Sequence, residues 1–291
     1  MNKLIFGCGY LGQRVAIRWR EQGAKVFVVT RSAERAASFK QTGYETILAD
    51  VTRPETLKDL PIADVVLFAV GYDRSAGKPI DDVYAGGMRN VLEALAPETG
   101  RLIYISTTGV YGAGSGEWVD ENTAPDPQRD GGKASLAAEK ALSAHPIAKQ
   151  SIVLRLAGIY GPLRVPFLNE LFGGHPIPAR GSGFLNLIHV DDAAMVVDAA
   201  ARLPPFANGL QIVCVSDGYP ILRGEYYAEL ARQIGAPPPR FVEPAPDSPR
   251  AERAVTNRRI RNTRMLRELN VKLAYPDYRA GLAAILETQN Q

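Results

Sequence analysis

The chain has 291 residues, enough for one large domain or two small ones, and its 46% hydrophobic and 22% charged content belongs to a globular protein with a sizeable core, not to a disordered chain. Net charge is +3, from 34 basic and 31 acidic side chains, which argues against a nucleic-acid binder, and no run approaches the ~18 apolar residues that a membrane span needs. Two distant cysteines, Cys8 and Cys214, give no disulfide framework and point to a reducing compartment; with residues 4–6 too short for a signal-peptide core, the expectation is a soluble cytoplasmic protein.

In chain order, the pattern predicts a short apolar strand at 3–6 that ends in glycines. A helix over 11–22 follows, with Leu11, Val15, Ile17 and Trp19 as apolar members and Gly23 as its stop. Residues 25–30 are a β-branched strand, and Ser32 reads as the N-cap of a helix reaching residue 40. Strands are expected at 45–49, 65–70, 102–106 and 152–156, and helices over 83–95 and 135–143; the continuous apolar run 65–70 marks a strand covered on both faces. This alternation predicts parallel β-α-β units, hence an α/β fold with a doubly wound, Rossmann-like parallel sheet.

The second half reads differently. Prolines gather between Pro162 and Pro178, at Pro204 and Pro205, and from Pro237 to Pro249, where loops are expected instead of central strands. We expect a smaller, loop-rich C-terminal substrate lobe from 161–187 and 216–291, interleaved with a dinucleotide-binding domain of 1–160 and 188–215.

The segment Gly7-Cys8-Gly9-Tyr10-Leu11-Gly12 is G-x-G-x-x-G between a predicted strand and a predicted helix. The first glycine permits the tight turn, the second lets backbone approach a pyrophosphate, and the third lets helix and strand pack closely. The helix N-terminus offers unpaired N–H groups and partial positive charge to the phosphates. A carboxylate at the end of the second strand would accept hydrogen bonds from an adenosine ribose, but this chain has Thr30-Arg31-Ser32 there. A guanidinium suits a 2′-phosphate, so NADP(H) is favoured over NAD(H), with Arg31 and Ser32 as contacts and Arg35 as a further candidate one helical turn on.

From here the chain resembles a known family, the extended short-chain dehydrogenase/reductases, or NAD(P)-dependent epimerases/dehydratases, over most of its length. Asp50 and Val51 look like the family's adenine contact, and Ala69, Val70 and Gly71 like its stretch beside the adenosine ribose. Gly87 and the run 90–94 (NVLEA) resemble the helix that follows. The runs 105–112 (ISTTGVYG), 154–162 (LRLAGIYGP) and 186–192 (NLIHVDD) resemble three later family motifs in the same order. The resemblance implies a small-molecule substrate, either a small polar compound or a nucleotide sugar. It also implies catalysis by Tyr-x-x-x-Lys with a Ser or Thr, the lysine lowering the tyrosine pKa.

Thr107 stands at the Ser/Thr position. The tyrosine and lysine positions fall on Gly131 and Ser135, neither of which can do that work, so the chain resembles an atypical branch that keeps the fold and loses the dyad. Lys133, near the missing lysine, reads as solvent-facing. Tyr111 reads as packed, and Tyr84 stands where the family places an active-site asparagine.

Other residues take simpler readings. Asp191 or Asp192 is the expected N-cap of a helix from residue 193, and His189 a packed histidine. No His, Cys or carboxylate spacing suggests a metal. Cys8 is a small buried filler. The basic run 257–264 reads as a turn before a helix, with Arg258 and Arg261 as candidate contacts for an anionic substrate, and Arg155 as structural. Two functions stand: an NADP(H)-dependent oxidoreductase or epimerase in which Thr107 orients the reacting oxygen, and a non-catalytic NADP(H)-binding regulatory or redox-sensing protein. The oligomeric state is open, a homodimer being one option.

Overall fold

The computed structural model describes residues 1–204, 206, 209–246, 248, 251 and 256–289; Pro205 and Pro249 lie outside them. The first half runs β1 (Asn2–Phe6), α1 (Tyr10–Glu21), β2 (Lys25–Thr30), α2 (Ala33–Gln41), β3 (Glu45–Leu48), β4 (Val65–Phe68), α3 (Gly87–Ala94), β5 (Arg101–Thr107), β6 (Trp118–Val119), α4 (Asp130–Ala144) and β7 (Ile152–Leu156). The second half begins β8 (Gly158–Tyr160), α5 (Leu168–Phe172), β9 (Ile177–Pro178), β10 (Phe184–Leu185), β11 (Leu187–His189), α6 (Val190–Arg202) and β12 (Gln211–Val215). It continues β13 (Ile221–Leu222), α7 (Arg223–Gln233), β14 (Phe241–Val242), β15 (Arg259–Ile260), α8 (Thr263–Leu269) and α9 (Tyr278–Gln289).

Seven strands make one sheet in the order β12-β7-β5-β4-β1-β2-β3, and each neighbouring pair is parallel. From β1 the chain winds outward to β2 and β3, then crosses back to β4 and winds the other way. This is the doubly wound Rossmann-like architecture expected from the alternation, and its winding reverses between β1 and β4. Beyond the strand ends at such a reversal the two flanking loops part and leave a crevice.

Both faces of the sheet are covered. One core packs Leu11, Val15 and Trp19 of α1 and the alanine- and valine-rich α6 against Val28, Leu67 and Leu154. The other packs Met88, Val91 and Leu92 of α3 and Ala138 and Leu142 of α4 against Leu4, Val66, Phe68 and Leu102. The near-continuous apolar character of β4 follows, since all four of its residues are buried. In α1 the buried residues recur every four positions, whereas Ile17, expected on the apolar face, points outward and is 42% exposed. A further cluster of Tyr160, Tyr226, Leu230, Tyr278 and Leu282 joins α7 and α9 to the end of β8.

Beyond shifts of one or two residues at other element ends, such as β4 ending at Phe68 instead of residue 70, three helix starts depart from the sequence reading. Helix α4 begins at Asp130, five residues before the expected start; Gly131 and Gly132 depress helix propensity, but Gly132 is held by packing. The predicted helix over 83–95 opens with a π turn, Asp82–Gly86, before α3. Helix α6 begins at Val190, so its N-cap is neither Asp191 nor Asp192 but His189, whose Nδ1 accepts the Asp191 N–H at 3.3 Å.

Candidate functional site

A cleft of about 1320 Å³ opens at the β1/β4 reversal. Gly7, Gly9, Tyr10, Leu11, Gly12, Arg31, Asp50, Val51, Ala69, Val70, Gly71 and Thr107 all line it. Ser32 does not; its hydroxyl accepts the Arg35 N–H and caps α2.

The three glycines have separate physical reasons. Gly7 has φ +88°, and a Cβ there would stand 2.3 Å from the Ala69 carbonyl oxygen, because β1 and β4 converge at this point. A Cβ at Gly12 would stand 2.4 Å from the Gly7 carbonyl oxygen, so α1 seats on its own turn only through glycine. At Gly9 a Cβ would meet no protein atom within 4 Å. No protein atom stands in the way of a side chain there, and the position lines the cleft at the N-terminus of α1, where N–H groups lack helical partners.

At the β2 end, Arg31 forms an ion pair with Asp73, which lies in the loop after β4; both side chains are about half exposed. Arg35 turns inward and donates to the Cys8 carbonyl at 2.7 Å, bracing the glycine turn. The Asp50 carboxylate accepts from the backbone N–H and hydroxyl of Thr52, each at 2.8 Å, and the Asn90 amide donates to the Val51 carbonyl at 2.8 Å. Burial pushes the Cys8 thiol up to about 12, against the pull of Arg35, so it is an inert filler. Tyr10 reaches across the cleft, its hydroxyl donating to the Pro162 carbonyl at 2.9 Å, while the Arg164 guanidinium lies 5.2 Å from its ring centre.

At the other end, the Thr107 hydroxyl oxygen accepts the Gly109 N–H at 2.9 Å, which leaves its own O–H to serve as a donor into the cleft. Gly131 and Ser135 line the same space, and the Ser135 hydroxyl donates to the Gly131 carbonyl at 2.8 Å. The two positions that would carry a Tyr-Lys dyad are thus bonded to one another. Tyr84 also lines the cleft, its phenol pKa raised by burial. Lys133 is exposed and does not line it.

Adjacent glycines in α4 differ sharply. A Cβ at Gly132 would stand 2.3 Å from the Gly109 carbonyl oxygen, whereas at Gly131 the nearest atom is Ile80 Cδ1 at 4.0 Å. Gly132→Ala is therefore expected to cost about 1–3 kcal/mol by forcing α4 off the turn after Thr107. Gly131→Ala should stabilise by up to about 1 kcal/mol through helix propensity. Urea unfolding of the two variants checks the contrast.

Behind the site lies a closed polar network. Arg155 makes a buried bidentate pair with Glu139, at 3.0 and 2.6 Å, and the Ser106 hydroxyl donates to the same carboxylate at 2.5 Å. Burial opposes the Arg155 charge, but Glu139 more than offsets it and raises its pKa. Arg155 also donates to the Tyr111 hydroxyl at 2.9 Å, and that hydroxyl donates to the Asp120 carbonyl at 2.7 Å. Arg155 and Tyr111 are thus structural and packed, as read from sequence.

Arg258 departs from the expectation of a substrate contact. It is buried, and its guanidinium donates to the carbonyls of Gly112 and Thr108, pinning the turn after Thr107. Arg261 stacks on Trp118 with its guanidinium 5.1 Å from the ring centre, away from the cleft. His189 is buried between Tyr160 and Tyr275, ring centres 5.3 and 3.9 Å away, burial lowers its pKa, and it packs there and caps α6. Among the described residues no cluster of His, Cys, Asp and Glu could hold a metal, and no helix is long and apolar enough to cross a membrane.

Asp73, Arg164 and the Gly132 contact were not anticipated. Asp73 is 42 residues from Arg31, and no local pattern announces their pairing. Gly132 had a weak signal, a second glycine inside a helix.

Comparison with known proteins places this architecture. Protein YeeZ of Escherichia coli is 28% identical over 281 residues, 94% of this chain and 96% of the relative. A 3-diazoavenalumate denitrifying reductase of Streptomyces is 27% identical, covering 97% and 99% of the two chains. A solved structure from Methylobacillus flagellatus, described provisionally as an NAD-dependent epimerase/dehydratase, is 31% identical with a TM-score of 0.80, covering 100% of this chain and 99% of that one. Residues 4–209 match the family model itself, and the chain belongs to the NAD dependent epimerase/dehydratase family.

Proposed function

We propose that the protein is an NADP(H)-dependent oxidoreductase of the atypical, dyad-less kind, acting on a small polar carbonyl or hydroxyl compound. The observation that carries this reading is Gly9, a glycine that no protein contact requires, at a helix N-terminus beside an arginine where a ribose-binding carboxylate would stand. In this reading the glycine turn and α1 hold the pyrophosphate, Arg31 meets the 2′-phosphate, and Asp50, Val51 and the run 69–71 flank the adenosine. The dinucleotide-binding domain is 1–160 with 188–215, and 161–187 with 216–291 forms the substrate lobe.

The cofactor, when bound, supplies or accepts hydride. The chain's own contribution is orientation. Thr107, already an acceptor from Gly109, donates to the substrate oxygen. Proton transfer at that oxygen falls to a water or a substrate group, since Gly131 and Ser135 have no acid to offer. The full-length likeness to a Streptomyces reductase supports reduction over epimerisation. A nucleotide-sugar substrate remains the epimerase form of the reading.

The test is NADPH consumption, followed as the fall of the reduced-nicotinamide band near ~340 nm, across a panel of carbonyl compounds. Turnover that drops at least about tenfold in Thr107→Val supports it. Tight NADPH binding with no turnover on any compound would instead favour the second reading, a non-catalytic NADP(H)-binding regulatory protein, for which the missing dyad is the motivating observation.

A further inference from the structure

The Arg31–Asp73 pair carries a consequence for cofactor choice. Both side chains line the cleft, Arg31 at the end of β2 and Asp73 in the loop after β4. Asp73 is fully engaged. One carboxylate oxygen accepts the Ser75 N–H at 3.0 Å and the Ser75 hydroxyl at 2.6 Å, and the other accepts the Arg31 guanidinium. The loop that carries it is closed on itself, with the Tyr72 hydroxyl donating to the Lys78 carbonyl at 2.9 Å and the Tyr72 ring edge-on to Tyr84. Asp73 is thereby a positioned anion and not a wandering side chain.

We propose that Asp73 is a specificity-determining residue, an internal competitor that occupies Arg31 and so limits the discrimination between a 2′-phosphate and a 2′-hydroxyl. This rests on the reading of the cleft as a nicotinamide dinucleotide site. The argument is electrostatic. To meet a 2′-phosphate, Arg31 must leave a carboxylate with which it already has ion-pair geometry, and the phosphate then arrives beside that carboxylate's negative charge. A dinucleotide with a 2′-hydroxyl requires neither change. The pair therefore narrows the preference for NADP(H) that Arg31 alone would give. Because both groups are half exposed, the effect is of the size of a surface ion pair and screened by salt.

Asp73→Asn is the informative variant. The amide oxygen keeps the acceptor for Ser75, so the turn survives, while the charge that holds Arg31 is gone. Dissociation constants for NADPH and NADH are measured by titration for wild type, Asp73→Asn, Arg31→Ala and the double variant. The expected result is a rise of about threefold or more in the NADPH-over-NADH affinity ratio for Asp73→Asn, with less than half that shift in the Arg31→Ala background. An unchanged ratio, or an equal shift with and without Arg31, overturns the proposal. Wild type alone tests the underlying reading. Absence of binding to either dinucleotide removes the site assignment, whereas tighter NADH binding removes only the NADP(H) preference and leaves the Asp73 comparison to be read on its own.

Discussion

Replacing Gly9 by alanine is expected to leave folding stability within about 1 kcal/mol of wild type and to weaken NADPH binding at least about tenfold. The separation of the two effects is the point. At Gly9 an added Cβ touches no protein atom and φ is −95°, so the folded state gains no clash and no left-handed strain. A pyrophosphate seated against the turn would meet that methyl group. Gly7→Ala differs in both respects, with φ +88° and a Cβ 2.3 Å from the Ala69 carbonyl oxygen, and should cost about 2–4 kcal/mol as well as binding. Gly12→Ala joins it, despite the better helix propensity of alanine, because the obstacle at 2.4 Å is the Gly7 carbonyl, which is backbone and cannot swing away. Urea unfolding paired with NADPH titration reads both axes. Undiminished binding in Gly9→Ala would dismiss the glycine turn as the cofactor cradle.

These three residues also illustrate what is legible in a sequence. Their place in a strand-turn-helix pattern is local and readable, although the contact that excludes a Cβ at Gly7 comes from Ala69 on the neighbouring strand's end. The same holds for β2, in which five β-branched or apolar residues follow Lys25 and end where expected, and for Ser32, whose capping bond spans three residues. Helix α4 was harder to delimit. Two glycines at its start resemble a loop, and only the Gly109 carbonyl, brought close by tertiary packing, explains why one of them must be glycine. His189 as an N-cap ran against propensity, which favours the aspartates that follow it. Asp192 is instead recruited by the backbone of Ala274 and Tyr275, at 2.8 and 2.9 Å, a contact across 82 and 83 residues that no window of sequence contains. The candidate site divides in the same way. Residues contributed by strand ends and the glycine turn were readable in order along the chain. The Asp73 partner of Arg31 and the structural use of Arg258 depend on loops meeting in space.

The second large effect concerns Asp217 and is an effect of pH on stability. Its backbone N–H donates to the Leu187 carbonyl at 2.7 Å, and one carboxylate oxygen accepts the Tyr219 N–H at 2.9 Å. The other oxygen is buried with no hydrogen-bond partner among the described residues, as are the hydroxyls of Tyr226 and Tyr278. Burial, aided by the charges of Asp277 and Asp192 and only partly opposed by the Tyr219 N–H, pushes the Asp217 pKa up to about 8. An unfolded aspartate titrates near ~3.9. The folded state therefore binds more protons than the unfolded state between these values. The stability associated with the protonated carboxyl is fully present below about pH 4 and is lost as pH rises through about 8, by as much as ~1.4 kcal/mol per unit. Asp217→Asn keeps the acceptor for Tyr219, removes the titration, and should match wild type near pH 4 while exceeding it by several kcal/mol, on the order of 5, near pH 9. Urea unfolding at a series of pH values reads the difference. The same slope in both proteins would mean that Asp217 is solvated or paired in the native state and ionised throughout. A slope confined to wild type would trace a loss of stability at alkaline pH to this one buried carboxyl group.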